Sequence, residues 1–370
     1  IPNYNLSEKE KKEIGDFLNL MDYYKNLKGK DEKYFFEIPS SESSRDTELD
    51  KLDNISFYDF LVEKKFTGEY LLWYLNYCCR DDFGGDTKKV SAWAGINYFA
   101  SHKPNPANTD ATRVLTWPEG NGRLVKLLSD DLTDVIQTAC LVKNISVQKN
   151  QVIVSVADFK NQQIIEISCN NCVVAIPPFV VTHLLDKALS YPREKAKKLK
   201  HIPWITAAVT LTKLPEGRGQ EICWDNVGYD TRALGYIYNQ HQILNQLQEK
   251  QVISLYIPLD EKEISEERKN AANRTESEWK ELVLAELEIL HSGITKFVEE
   301  IEVWVWGHGM ILPEKGLIKG TTLKQLAQPI NNQIYFAHTD LSGFSIFEEG
   351  FDWGYKTAEK IIKKSETSLD

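Results

Sequence analysis

The run Ile334-Tyr335-Phe336-Ala337-His338-Thr339-Asp340-Leu341-Ser342-Gly343-Phe344-Ser345-Ile346-Phe347-Glu348-Glu349-Gly350 constrains this chain more than any other. A short β-branched and aromatic stretch is punctuated by Ser342-Gly343 and then gives way to helical spacing, which reads as a buried strand, a glycine-bearing loop and a helix. Strand–loop–helix units of this kind carry ligand sites at the ends of strands in α/β sheets. Phe351, Tyr355, Ala358, Ile361 and Ile362 fall on one face of the predicted helix. Gly350 and Gly354 lie four apart on one face, where another backbone or a flat ligand can approach closely. The free N–H groups at the helix start can meet an electron-rich carbonyl or an anion. An ordinary strand-to-helix connection fits the segment equally well taken alone.

At 370 residues the chain is long enough for two domains and a large core. A net charge of -10 argues against nucleic acid or an anionic membrane surface as the main partner. No apolar run approaches the roughly 18–20 residues that a membrane span needs. A cytoplasmic location is the expectation, with any N-terminal signal out of view. Six cysteines do not make a disulfide framework. Cys169-Asn170-Asn171-Cys172 has no second Cys or His pair at zinc spacing, and it reads as a turn between two strands with no metal.

The opening portion reads as helical. Ser7-Glu8-Lys9-Glu10 is a capping box for a helix over residues 7–28 that carries Ile14, Phe17, Leu18 and Met21 on one face. Residues 29–54 are polar and charge-rich, as in a surface excursion or partly mobile loop. Further helices are predicted from Ser56 and from Gly68 through Cys79. Past Gly120-Asn121-Gly122 a short helix covers Leu124–Leu128, and β-type runs follow at Gln151–Val156, Ile164–Ser168 and Cys172–Ile176, stopped by Pro177-Pro178. A second sheet is predicted from Trp204–Leu211, Gly235–Tyr238, Val252–Ile257 and Ile301–Trp306. Thr275 caps a helix bearing Trp279, Leu282, Val283, Leu287 and Leu290.

No Gly-x-Ser-x-Gly elbow, His-Glu-x-x-His pair or EF-hand loop occurs. Each Gly-x-Gly lacks the third glycine of a dinucleotide fingerprint: Val125, Ile222 and Leu312 stand in its place. Asp81-Asp82 after Arg80 could clamp a substrate, but adjacent side chains point different ways, and the group reads rather as a solvated face or an internal ion pair. Lys213 reads as a surface lysine.

The C-terminal stretch resembles the flavin-contacting end of the flavin-containing amine oxidase family, where a strand ending Ala-Gly-Glu leads through Ser-Gly and Glu-Gly-Ala into the last helix. Here Ala337-His338-Thr339-Asp340 replaces the Gly-Glu, and Glu349-Gly350-Phe351 stands for Glu-Gly-Ala. A bacterial branch of FAD-dependent oxidoreductases is similar at Cys79–Gly84, Ala92–Ala100, Leu115–Gly122, Trp224–Val227, Leu234–Tyr236 and Trp306–Met310.

The resemblance implies a mixed α/β (α+β) fold: an incomplete FAD-binding domain from residues 112–186 and 313–365, a substrate domain from 1–111 and 187–312, and a tail at 366–370. It implies FAD contacts from Val142, from Trp117, Pro118, Glu119, Gly120, Asn121 and Gly122, and from Asp340, Ser342, Gly343, Phe347, Glu348, Glu349 and Gly350. Trp306 and His308 would line the substrate pocket. The implied reaction is hydride removal from a C–N or C–H bond of a small molecule, although the same architecture serves desaturases and isomerases. The missing fingerprint implies that an N-terminal segment or a partner chain supplies the first strand–turn–helix, leaving an apolar sheet edge open here and this chain alone inactive. The alternative is a non-catalytic binding or assembly subunit that keeps the fold without the cofactor.

Overall fold

The computed structural model describes residues 6–103, 116–217, 221–229, 231–242 and 249–367. Ser7 and Glu10 close the expected capping box on α1 (Glu8–Asn26), which buries Phe17, Met21 and Tyr24. Leu18, expected on that face, is exposed. Ser56 caps α2 (Phe57–Glu63), Gly68 precedes α3 (Glu69–Phe83), and Ser91 caps α4 (Ala92–Ala100). Phe57 lies against Gly95 so closely that any Cβ there would fall 2.3 Å from its ring, which explains the glycine inside α4. Residues 29–54 are not a loose excursion. Phe35 and Phe36 are fully buried, and Asp31 ties the segment together by accepting from Ser44 Oγ and Arg45 N. Polar composition there reflects side chains that satisfy the loop's own backbone.

Next come α5 (Gly122–Ser129) and an antiparallel three-stranded meander of β1 (Cys140–Gln148), β2 (Gln151–Asp158) and β3 (Gln163–Cys169). The turn at residues 170–171 leads into β4 (Cys172–Val174), as the Cys-x-x-Cys reading expected, and both cysteines are free thiols. Helices α6 (Pro178–Leu184) and α7 (Arg193–Lys198) follow.

The second sheet is antiparallel with strands ordered β6-β7-β8-β5-β9: β5 (His201–Leu211), β6 (Asp225–Val227), β7 (Gly235–Tyr238), β8 (Gln251–Pro258) and β9 (Val298–Ile311). β5 starts before Trp204, where its sequence reading began, because the β5–β9 register shifts between Ile202 and Trp204 and absorbs Pro203 there. Helix α8 (Ile264–Asn273) and helix α9 (Glu276–Leu290), the latter with its Thr275–Glu278 capping box, run between β8 and β9; Trp279, Val283 and Leu287 of α9 are buried with the sheet's inner residues.

After α10 (Thr322–Leu326), β10 (Ile334–Phe336) pairs in parallel with β4, and α11 (Phe347–Thr367) closes the described chain. Residues from the meander, α6, α7, β10 and the segment around Leu326 share one core. That part stays open. Parallel strands are normally paired and covered on both faces, yet this sheet has two strands. The stripe predicted on α11 forms on one face but meets water: Phe351 is 51% exposed, Tyr355 56% and Ile362 57%. Val125, Leu127 and Leu128 of α5 are exposed as well. No described helix is long and apolar enough to cross a membrane.

Candidate functional site

One cavity of about 360 Å³ gathers residues that lie far apart in sequence: Asn121, Pro177, His201, His308, Asp340 and Phe347. Each reaches it from the end of an element. Asn121 precedes α5, Pro177 stops β4 and starts α6, His201 heads β5, and His308 lies near the end of β9. Asp340 stands in the loop after β10, and Phe347 opens α11.

Asp340 and His201 form its buried floor. His201 Nε2 lies 2.7 Å from Asp340 Oδ2, and both residues are almost wholly shielded. Burial works against charge on Asp340, but the hydrogen bond of His201 and the nearby His338 outweigh it and hold the carboxyl down at about 2. A carboxylate can only accept, so Nε2 of His201 carries the hydrogen and Nδ1 is left as the basic nitrogen. The Asp340 N–H donates to His338 Nδ1 at 3.1 Å, which fixes that ring beside the loop. Arg268 donates to the carbonyls of Gly307 and His201 and ties the two strands together at this point.

His308 stacks on Phe179, with centroids 4.4 Å apart and planes 21° from parallel. Burial, then the positive Arg268 and the neighbouring His201, push its pKa below the usual histidine range, so His308 is neutral at pH 7. Gly309 is needed for packing: a Cβ there would lie 2.5 Å from the Trp204 ring. Among the described residues no group of three or more His, Cys, Asp or Glu is arranged to hold a metal.

The other expected residues divide. Trp306 lies off this wall, 52% exposed, with its indole N–H donating to Thr206 Oγ1. Trp117, Pro118, Glu119 and Gly120 lead up to Asn121 in a turn at the surface, where Gly120 takes φ +55° and has open space beside it, and Gly122 follows as the first residue of α5. Val142 packs on the meander side of the core. Gly343 takes φ +79° in the turn after Asp340. Ser342 and Glu349 serve the scaffold: buried Glu349 accepts from Ser40 N, Ser40 Oγ and Ser342 Oγ, stitching α11 to the N-terminal loop. A Cβ on Gly350 would lie 3.2 Å from Thr339, whereas Gly354 faces open space. Leu115, which belongs to one of the matched motifs, lies outside the described residues.

Asp81 and Asp82 are half-buried and neither pairs with Arg80, which instead grips Asp260 through Nε and Nη2. Adjacent residues on a helix diverge, and the carboxylate within reach of Arg80 comes from beyond β8. Burial, then Asp225 and Asp82, push the Asp81 carboxyl up to about 7. Burial pushes Asp82 up to about 6, with His102 opposing and Glu348 reinforcing the shift. Tyr256 donates to Asp225 at 3.2 Å, so a pair of reluctant carboxyls with a tyrosine bridges α3, β6 and β8. Sequence reasoning missed His201, Asp225 and Tyr256 as members of polar clusters; His201 fell outside the strand read from Trp204.

No family model matches the chain, and no curated protein matches it in sequence. Solved structures do match in fold. A structure of wild-type putrescine oxidase bound to putrescine aligns with TM-score 0.68 and 15% identity over 98% of this chain and 77% of that one. Cyclohexylamine oxidase from Brevibacterium oxydans aligns with TM-score 0.64 and 13% identity over the same shares, 98% and 77%. A CLA-producing fatty acid isomerase from P. acnes aligns with TM-score 0.58 and 14% identity over 94% of this chain and 74% of its own. The mixed α/β fold is therefore that of these two amine oxidases.

Proposed function

We propose that the chain forms the substrate-side body and the ring-contacting wall of an FAD-dependent oxidoreductase of the amine oxidase type, one that removes a hydride from a C–N or C–H bond of a small molecule. The observation that carries this reading is the meeting of Asn121, Pro177, His308, Asp340 and Phe347 on one cavity. The fold shared with putrescine oxidase and cyclohexylamine oxidase supports it. The fold shared with a fatty acid isomerase keeps the substrate class wider than amines.

The donor set suits the ring end of a flavin. An amide, a neutral histidine and an aromatic side chain can meet a flat heteroaromatic system with carbonyl and N–H edges. A volume near 360 Å³ suits one ring system. The diphosphate is another matter, because no Gly-x-Gly-x-x-Gly turn stands between a strand and a helix among the described residues. When bound, a flavin supplies the two-electron acceptor. The chain's own contribution is orientation and proton handling. Asp340 sets the His201 tautomer so that Nδ1 can hold a proton, and Phe179 fixes the His308 ring against the cavity.

A second reading, a binding or assembly subunit, is favoured by the open two-stranded sheet and the water-facing stripe of α11. Both surfaces suit a polypeptide that adds strands and a helix. A visible spectrum of the purified protein, before and after FAD is added and the excess removed, separates the two. Retained flavin bands that are lost in His308→Leu support the enzyme reading. A protein that stays colourless overturns it for this chain alone and leaves the subunit reading.

A further inference from the structure

A second cavity, of about 350 Å³, lies between the loop at residues 40–43, α4, α10, β10 and α11. It is separate in composition from the first: none of Asn121, His201, His308 or Asp340 lines it. Its lining is mainly apolar and includes Trp93, Tyr335 and Trp353. The Trp353 indole donates to Ser342 Oγ at 2.7 Å, so this ring is held in place.

Four lysines border the same space: Lys319, Lys324, Lys356 and Lys360. Their neutralisation is uneven. Lys356 is paired with Glu42 at 2.9 Å and Asp352 at 3.0 Å. Lys319 sits 3.5 Å over the Trp93 ring, with its nearest carboxylate, Asp50, at 3.9 Å. Lys360 lies 6.0 Å over the Tyr335 ring, and among the described residues neither it nor Lys324 pairs with a carboxylate. Burial lowers the Lys319 pKa against the pull of Asp50 and Asp53, and repulsion from Lys324 adds to the lowering. An anion would relieve it.

Asn97 adds a polar edge to the cavity. Its residue is 8% exposed, it lines the cavity, and its side-chain amide makes no hydrogen bond among the described residues. Its amide atoms still open onto the cavity, where a ligand edge replaces solvent as their hydrogen-bond partner. Aromatic walls, unpaired ammonium groups and an amide together select a flat ring system that carries an anionic group and a polar edge.

We propose that this cavity binds an aromatic ring system bearing a phosphate or carboxylate, with its ring among Trp93, Tyr335 and Trp353 and its anion held by Lys319, Lys324 and Lys360. The site is independent of the oxidoreductase reading.

The probe is 1-naphthyl phosphate, followed by fluorescence anisotropy on the full chain, with 1-naphthoate, 1-naphthol and inorganic phosphate beside it. The two aromatic anions are expected to bind at least about tenfold more tightly than 1-naphthol or phosphate, with affinity falling as salt is raised. Whichever of the two binds more tightly identifies the anionic group. Lys324→Met/Lys360→Met removes two side chains from the rim and should weaken the anions about tenfold, leaving 1-naphthol unchanged. On the unmodified protein, bound 1-naphthyl phosphate should protect Lys324 and Lys360 from reductive methylation. Equal binding of 1-naphthol and the anions, unchanged affinity in the double variant, or absent protection overturns the site. Loss of binding in Phe351→Glu instead assigns the probe to the apolar stripe of α11 and overturns it too.

Discussion

Helices α9 and α11 have the same kind of apolar stripe and meet opposite surroundings. Trp279, Val283 and Leu287 of α9 vanish against the five-stranded sheet. Phe351, Tyr355 and Ile362 of α11 remain more than half exposed, beside a parallel sheet of two strands. The half of the molecule around the antiparallel sheet closes its own cores, whereas the half around β4 and β10 presents faces that no described residue covers. Hydrophobic periodicity thus reports that a face requires a partner, and it is silent on which chain or segment provides one.

The largest test of this contrast is a pair of truncations. Trp279→Ala should cost about 3–5 kcal/mol in urea unfolding, and Leu127→Ala on exposed α5 should stay within about 0.5 kcal/mol. Similar losses for both would show that the α5 side is covered in solution. Next in size is Asp340→Asn, which removes the charge that His201 satisfies and should cost about 2–3 kcal/mol at pH 7. Because the folded carboxyl titrates at about 2, below its ordinary value of 3.8, this stabilisation is present above the ordinary value and is lost as pH falls toward 2. A cost that does not shrink with acid would refute a charged Asp340.

Asp81→Asn should act in the other direction. The folded pKa is raised to about 7 from 3.8, so ionisation opposes folding increasingly as pH rises through that range. The variant should gain about 1–3 kcal/mol at pH 8, with the gain shrinking toward pH 4. A loss of stability at pH 8 would mean that a cation pairs with Asp81 in solution. The smallest effect on folding, within about 0.5 kcal/mol, is expected for Phe351→Glu/Tyr355→Lys. That variant should nonetheless lower exposed-hydrophobe dye binding and late-eluting or aggregated material on sizing chromatography. A parent chain that runs as a clean monomer without dye binding would show the stripe to be harmless.

Much of the architecture was legible because it is local. Ser7, Ser56 and Thr275 announce helix starts through hydrogen bonds spanning three residues, and the alternation in Ile301–Trp306 announces a strand. Residues 29–54 misled because burial of Phe35 and Phe36 is purchased by a minority of apolar side chains in a polar segment. Within the first cavity, Asn121, His308, Asp340 and Phe347 came from motifs quoted for the family resemblance, whereas Trp306 turned toward Thr206.

The sequence by itself determined many of the elements, their caps and the glycine- and aromatic-bearing stretches between them, since each depends on neighbours a few positions away. Only the tertiary structure decided who meets whom. His201 finds Asp340 139 positions along the chain. Arg80 passes over the adjacent Asp81 and Asp82 for Asp260, 180 positions away. Such pairings follow from strand order and from the β5–β9 register, and a charge or a lone pair has no sequence signature for the direction from which its partner will arrive.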